Sequence, residues 1–420
     1  MIENNASEKQ KYFWNMMGSM CNALSTVILL FLVNTFLGSE QGGVFSFAYS
    51  NAQLMLIIGG LEVRPLQSTD VQEEYSFQLY YTLRIITCIL MMCICIFYTI
   101  FSRCTKEKAL ILIILSCFKM IEAFTDVFCG AFQQNDRIDL AGKSFSLRVV
   151  ASTIIFAISL IIWGDLLTGV VLMTLVSFIL IFLYDIPILK YLPNIKIGIS
   201  FEKIDSLVKA AIPLFIAAFI ISYISNAPRY AINKYCSDVL QNKYSILFMP
   251  AFVINLFSLF VFRPVLVDMT KSWNGYNICK IKQYIKTSTI FISVMTIVCI
   301  LIGVTVGIPI LSIVYNVDLS GDKRVLALIM LYGGINAFGT YFYYVITVMR
   351  VQSKILIGYM CAFILVFLLS PVLVKKWQMT GAIWASIIAA AVLDIIFSII
   401  VFMSIQKRRQ EAEYMIKREI

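Results

Sequence analysis

The chain is 420 residues long, 60% hydrophobic and only 14% charged, with a formal net charge of +10 and no histidine. That balance excludes an ordinary water-soluble domain, whose surface carries more charge. The missing histidine removes the commonest transition-metal ligand and the usual general base at neutral pH, so no metal or other cofactor is expected.

Residues 1–11 are polar and of mixed charge. No small-residue cleavage site follows them, so the first apolar run is expected to remain as a membrane span. A helix needs ~20 apolar residues to cross a bilayer. Runs of about that length predict twelve spans, near 13–37, 43–61, 79–101, 109–130, 145–163, 166–187, 210–226, 243–262, 285–315, 325–349, 354–374 and 380–405. The fold class is therefore an all-α polytopic membrane protein. The longest interruption, 187–209, holds Pro193, Gly198 and four lysines. It is the natural seam between two six-helix bundles, 1–195 and 196–420.

With both termini on one side, about two-thirds of the 34 lysines and arginines fall beside the termini and the even-numbered loops. Arg64, Arg84, Arg148, Arg263 and the 407–409 tail are among them. By the positive-inside rule both termini are cytoplasmic and the number of spans is even. Charge spread in this way orients a membrane protein, and no nucleic-acid partner is expected. Trp14, Trp163 and Trp377 fall at span ends, as interfacial anchors do. The eleven cysteines sit mostly within apolar runs, without zinc-like spacing, and read as small buried hydrophobes.

The two halves also align. A shift of 199 residues places Asn34 on Asn233, Phe45 on Tyr244, Ser46 on Ser245 and Ala52 on Ala251. It also places Arg64-Pro65 on Arg263-Pro264, the two Arg-Pro pairs of the chain. Each pair is expected to close an even-numbered span at its cytoplasmic end. Parallel repeats of this kind place a substrate path where the halves meet.

Several segments resemble those of a known family: LEVRPLQSTD at 61–70, DVFCGAFQQ at 126–134, AGKS at 141–144, NAPRYAIN at 226–233 and MPAFVIN at 249–255. Together they are similar to bacterial polysaccharide flippases, the Wzx-like oligosaccharide-lipid exporters of the multidrug/oligosaccharidyl-lipid/polysaccharide superfamily. The likeness runs from span 1 to about span 10 as a pattern, without a single diagnostic signature. It implies two bundles around a central cavity and alternating access for an undecaprenyl-diphosphate-linked oligosaccharide in the bacterial cytoplasmic membrane. It also implies a polysaccharide polymerase and glycosyltransferases as working partners. The related peptidoglycan-precursor flippases have fourteen spans, which sets this chain apart from that subgroup.

Charges inside spans are costly and usually face a cavity or a partner. Lys119, Glu122 and Asp126 of span 4, continuing through Gly130 and Gln133 to Arg137, share one helical face. They form either a self-neutralising stripe, with Lys119 paired to Glu122, or a cavity lining in which the acids bind a coupling ion and Lys119 meets an anionic substrate. Asn15, Ser19, Asn22 and Thr26 form a neutral stripe on span 1, suited to sugar contact or to helix packing. Span 1 carries no acid, unlike many drug/cation antiporters of the superfamily.

Arg64 and Arg263 are placed to clamp a diphosphate, which a forked guanidinium suits; the plainer reading is membrane anchoring. Arg84 and Arg148 begin spans 3 and 5 on the same side. They could join that vestibule, and snorkelling to lipid phosphate is their simplest role. Arg229 follows Pro228 on the outward side, where a broken helix and a gating or release role are expected, or an ordinary loop position. Asp394 in span 12 is either protonated or paired across helices, a further ion-coupling candidate. Gly303 and Gly307, and the Gly333-Gly334 pair, read as close packing.

The leading expectation is a lipid-linked oligosaccharide flippase, a transporter without catalytic residues. A cation-coupled small-molecule exporter relying on Glu122, Asp126 or Asp394 is the alternative. A membrane polymerase or ligase is disfavoured, since the longest outward loop expected is only 227–242.

Overall fold

A computed structural model describes residues 7–419 apart from 71, 103, 190, 191, 193 and 194. Within helices, the side chains at 252, 253, 255–257, 259–261, 263, 264, 267 and 412–419 lie outside the description. Among the described residues the chain is helical, with no strand. The helices are α1 (Glu8–Gly60), α2 (Val63–Thr69), α3 (Phe77–Phe101), α4 (Lys106–Gln134), α5 (Ile138–Trp163), α6 (Leu166–Leu180) and α7 (Ile186–Leu189). They continue as α8 (Ile204–Tyr235), α9 (Asp238–Asn274), α10 (Ile278–Ile302), α11 (Ile308–Tyr315), α12 (Lys323–Val348) and α13 (Ile355–Glu419). Single π-helical turns, Ile181–Asp185 and Gly303–Gly307, join α6 to α7 and α10 to α11.

Eight helical segments are long and apolar enough to cross a membrane. Two of them are double rods. α1 turns at Gly38 (φ 82°, ψ −179°), a region of backbone space open essentially to glycine. α13 turns at Gln378 (φ 50°, ψ −129°), directly after the exposed Trp377. α4 has span length but carries Lys119, Glu122 and Asp126 within its apolar stretch. With α9, these helices account for the twelve expected spans of a polytopic all-α membrane protein. Apolar side chains such as Ile89, Phe97, Ile162, Leu183 and Ile313 point outward from their helices, as lipid-facing positions require.

By packing, the chain divides into two compact units, Met1–Ser222 and Tyr223–Ile420. The expected halves, 1–195 and 196–420, describe a duplication; the packing units divide later, inside α8. The cause is visible in the first unit's core. Leu207 and Ala211 of α8 join Leu79, Leu83, Val127 and Phe128 there, and Leu192 and Ile195 of the seam pack against the same cluster. The Ser200 backbone N–H also donates to Thr82 Oγ1 at 2.9 Å. The seam is laid onto the first unit rather than hanging free.

In the second unit α12 is central: Leu326, Ile329, Ala337 and Val345 are fully buried. Its glycines admit close neighbours. Gly333 meets Ala251 of α9, and Gly334 meets Thr296 of α10. Met330 packs on Gly303 in the π-helical turn, the close contact expected of that glycine step. All eleven cysteines are free, and Cys88, Cys95 and Cys129 are buried; Cys93 and Cys279 are exposed, so burial is not general.

The connections between helices are short and capped. Ser76, Thr105 and Ser237 each accept the backbone N–H three residues on. Between α5 and α6, Asp165 accepts from the Thr168 hydroxyl at 2.6 Å and the Thr168 N–H at 2.8 Å. These bonds, the hydroxyl first, hold the Asp165 carboxyl below its usual range. Its contribution is present above the unfolded value and is lost as pH falls through the lower folded one. Asp165→Ala is therefore expected to cost about 1 kcal/mol, seen as a lower unfolding midpoint in detergent at neutral pH. Asp165→Asn should keep most of the cap while losing its acid-side pH dependence.

Candidate functional site

The polar groups of the first unit gather along α4. Lys119 Nζ bonds Glu122 Oε2 at 2.7 Å and lies 4.9 Å from the centre of the Tyr49 ring. The self-neutralising pair is thus present, yet it also borders open space. Asn22, Ser25, Tyr49, Phe118, Lys119, Glu122, Phe145, Ser152 and Thr153 line a crevice within this unit. Asn22 is the member of the span-1 stripe that reaches it; Ser19 bonds the Asn15 carbonyl of its own helix, and Thr26 Oγ1 donates to the Tyr49 hydroxyl at 3.3 Å.

One turn further along α4, Asp126 holds two arginines. Arg64 Nη1 lies 2.9 Å from Oδ1, and Arg84 Nη2 lies 3.3 Å from Oδ2. Arg84 also donates to the Gly59 carbonyl at 2.7 Å, which Thr87 Oγ1 shares at the same distance. Neither Arg84 nor Arg148 snorkels. Both are buried, and Arg148 pairs with Asp185 at 2.8 Å while donating to Ser144 at 3.0 Å and to Thr125. The expectation failed because each guanidinium finds an acid or hydroxyl on a neighbouring helix, and that satisfies it better than a stretch to lipid headgroups. Arg137 leaves the α4 face altogether: it precedes α5 and pairs with the buried Asp139 at 3.0 Å.

Asp185 was missed because it stood near the end of an apolar run, among the seam residues. A carboxylate within the sixth span is itself a signal. The π-helical turn Ile181–Asp185 shifts the helical register there and brings Asp185 to Arg148 and Ser144.

The Arg-Pro pairs differ from expectation. α1 ends at Gly60, and the chain turns through Leu61 and Glu62, both at positive φ. Arg64-Pro65 then lies in the first turn of α2, where a missing N–H costs nothing. Arg263-Pro264 instead falls inside α9, which continues to Asn274. Neither proline closes a span. The Arg263 side chain lies outside the described residues, so its proposed share in a clamp stays untouched by the structure.

α8 runs through Pro213, in the first unit, and Pro228, in the second, to Tyr235. The helix expected to break at Pro228 does not, because a membrane helix tolerates proline where neighbours satisfy the freed groups. Arg229 consequently projects from a helix. It donates to Asn226 at 3.0 Å and stacks 5.0 Å from the Phe248 ring centre. Asp394 on α13 packs against Gly339 of α12; its Oδ1 is buried without a hydrogen-bond partner, and no ion pair to it occurs among the described residues. Among the described residues no three His, Cys, Asp or Glu side chains come together as a metal would require.

No family model matches the chain, and no curated protein matches it in sequence. Solved structures do match. Lipid II flippase MurJ, in an inward closed conformation, matches with a TM-score of 0.72 at 14% identity, over 95% of this chain and 91% of that one. A multidrug resistance MATE family transporter of the MOP superfamily matches in its inward-facing conformation (TM-score 0.63, 12% identity, 98% and 97% covered). An outward-facing conformation of such a transporter matches with a TM-score of 0.59 at 11% identity, over 96% of each chain. At these identities the likeness establishes the fold.

The buried Arg148–Asp185 pair sets a stability test. Arg148→Gln leaves the Asp185 carboxylate unpaired at 2% side-chain exposure. A loss of about 3–5 kcal/mol is expected, read as a lower unfolding midpoint and a poorer yield in detergent. The double change Arg148→Met with Asp185→Leu should recover much of that loss.

Proposed function

We propose that the protein is an alternating-access transporter carrying an undecaprenyl-diphosphate-linked oligosaccharide to the outer leaflet of the bacterial cytoplasmic membrane. The physical task is to move a hydrophilic sugar diphosphate through hydrocarbon while its lipid tail stays in the bilayer. The observation that carries the reading is the crevice beside α4. Inside a membrane-spanning unit it sets amide and hydroxyl groups (Asn22, Ser25, Ser152, Thr153) beside aromatic faces (Tyr49, Phe118, Phe145) and a buried lysine–glutamate pair. Polar edges with flat apolar walls suit a sugar, whose hydroxyls need partners and whose C–H faces need stacking. As it stands the crevice has room for about one water. It must widen before a sugar enters, as alternating access requires.

The fold is shared with a protein named a lipid II flippase and with MATE transporters, which supports transport. The segment likeness to oligosaccharide-lipid exporters supports the substrate. Cytoplasmic termini follow from the charge bias of the loops. A polymerase and glycosyltransferases are the partners such a substrate requires. The outward loop that a polymerase would need is shorter than the sequence indicated: α8 and α9 leave only 236–237 between them.

The cation-coupled exporter keeps one specific support, the unpartnered carboxyl of Asp394. The two readings separate in a strain lacking its own exporter. Under the proposed function, Lys119→Ala combined with Glu122→Gln lowers surface glycan at least tenfold, roughly what losing a charge-assisted hydrogen bond produces, at unchanged protein level. Unchanged glycan, together with loss of cation-coupled small-molecule efflux in Asp394→Asn, would transfer the case to the exporter.

A further inference from the structure

We infer that Asp126 is a built-in stand-in for the substrate's phosphate: it occupies Arg64 in the empty carrier and yields it to an incoming diphosphate. The source of that anion, a lipid headgroup, rests on the proposed function; the exchange itself rests on geometry. The two arginines on Asp126 are unequal. The Arg84 side chain is 1% exposed and is also tied to the Gly59 carbonyl, so it is fixed. The Arg64 side chain is 37% exposed and sits on the seven-residue α2. It follows a turn at Leu61 and Glu62 with φ of 46° and 50°. Arg64 is the member free to leave.

Its departure strands no charge, because Asp126 keeps Arg84. That arrangement avoids the large cost of orphaning a buried carboxylate. Glu62 lies within electrostatic reach of Asp126 and Arg84. Arg64, Arg84, Asp126 and Glu62 together are therefore neutral, and an approaching anion meets little net attraction. A singly charged anion cannot displace a carboxylate held in place by the fold. A diphosphate brings more charge and several acceptor oxygens to the guanidinium fork. Asp126 thus sets a threshold that selects diphosphates over carboxylates and halides, a specificity role distinct from ion coupling.

The test uses the full-length protein in nanodiscs, with phenylglyoxal labelling of Arg64 read by mass spectrometry. Inorganic pyrophosphate should slow labelling of the wild type, while acetate at equal ionic strength should not. In Asp126→Asn, pyrophosphate should bind about three- to tenfold more tightly, as release of a half-exposed ion pair allows, and acetate should begin to protect. Arg64→Gln, which has no Arg64 to label and is followed by calorimetric titration with pyrophosphate, should abolish pyrophosphate binding.

Nanodiscs containing polyprenyl diphosphate should protect better than those with phosphatidylglycerol alone; equal protection would overturn the diphosphate assignment. If pyrophosphate leaves wild-type Arg64 labelling unchanged, the exchange is wrong, whether or not Asp126→Asn folds. Glycan export lost in the Lys119→Ala, Glu122→Gln variant without any pyrophosphate protection would sink this inference and leave the function standing. Protection without glycan export in any strain would do the reverse.

Discussion

A charge carried inside hydrocarbon must find its partner within the protein, and the first unit is arranged around that requirement. α4 brings Lys119, Glu122 and Asp126 into a membrane-spanning helix; the first two pair with each other, and the surrounding helices answer Asp126. Arg84 reaches Asp126 from α3, and Arg64 reaches it from α2 after the left-handed turn. Next to this cluster, Arg148 of α5 is matched by Asp185 where the sixth span is locally under-wound into a π-helical turn. In water such pairs contribute little. In a low-dielectric interior the cost of a missing partner dominates, so these contacts fix which helices must be neighbours.

The twelve spans were legible because hydropathy over ~20 residues leaves few alternatives. The turns were less so. The break left between spans 1 and 2 does fall at Gly38, but proline misled at Pro65, Pro228 and Pro264. In sequence each proline reads as a stop. In the fold, Pro65 begins a helix, while α8 and α9 continue through the other two. The arginines misled for a different reason. Positive-inside bias is a statistical property of loops, and it assigned Arg84 and Arg148 to the membrane surface. Their partners, Asp126 and Asp185, lie on other helices, far along the chain, where helical spacing offers no clue. Only the local pair Lys119–Glu122, three residues apart, was visible in advance.

The residue pairs aligned by the 199-residue shift meet the structure unevenly. Phe45 and Tyr244, Ser46 and Ser245, and Ala52 and Ala251 are all buried, whereas Asn34 is buried and Asn233 only partly so. The Arg-Pro pairs, which looked like the best evidence for the repeat, sit in different backbone settings. Interior positions are constrained by close packing. A helix end is free to drift, and with it the role of any charge placed there. The chain matches solved structures over nearly its whole length at 11–14% identity, so the helix scaffold is shared where few residues are.

The charged pairs of the first unit also differ in how tightly they are held, and this bears on mechanism. Arg148 and Asp185 have side-chain exposures of 6% and 2%, against 37% and 26% for Arg64 and Asp126. A fully enclosed pair cannot open without exposing two bare charges to an apolar interior, so it behaves as part of the frame. A half-open pair can exchange one partner for an external ion at small cost, because the incoming ion replaces what is lost. Glu122, at 19% exposure beside the enclosed Lys119, falls between these limits. The two kinds differ in consequence: enclosed pairs fix which helices stay together, and half-open pairs leave a contact that can exchange. Glu122 and Asp126 place partly exposed acids on α4, while the enclosed Arg148–Asp185 pair joins α5 to the π-helical turn of the sixth span.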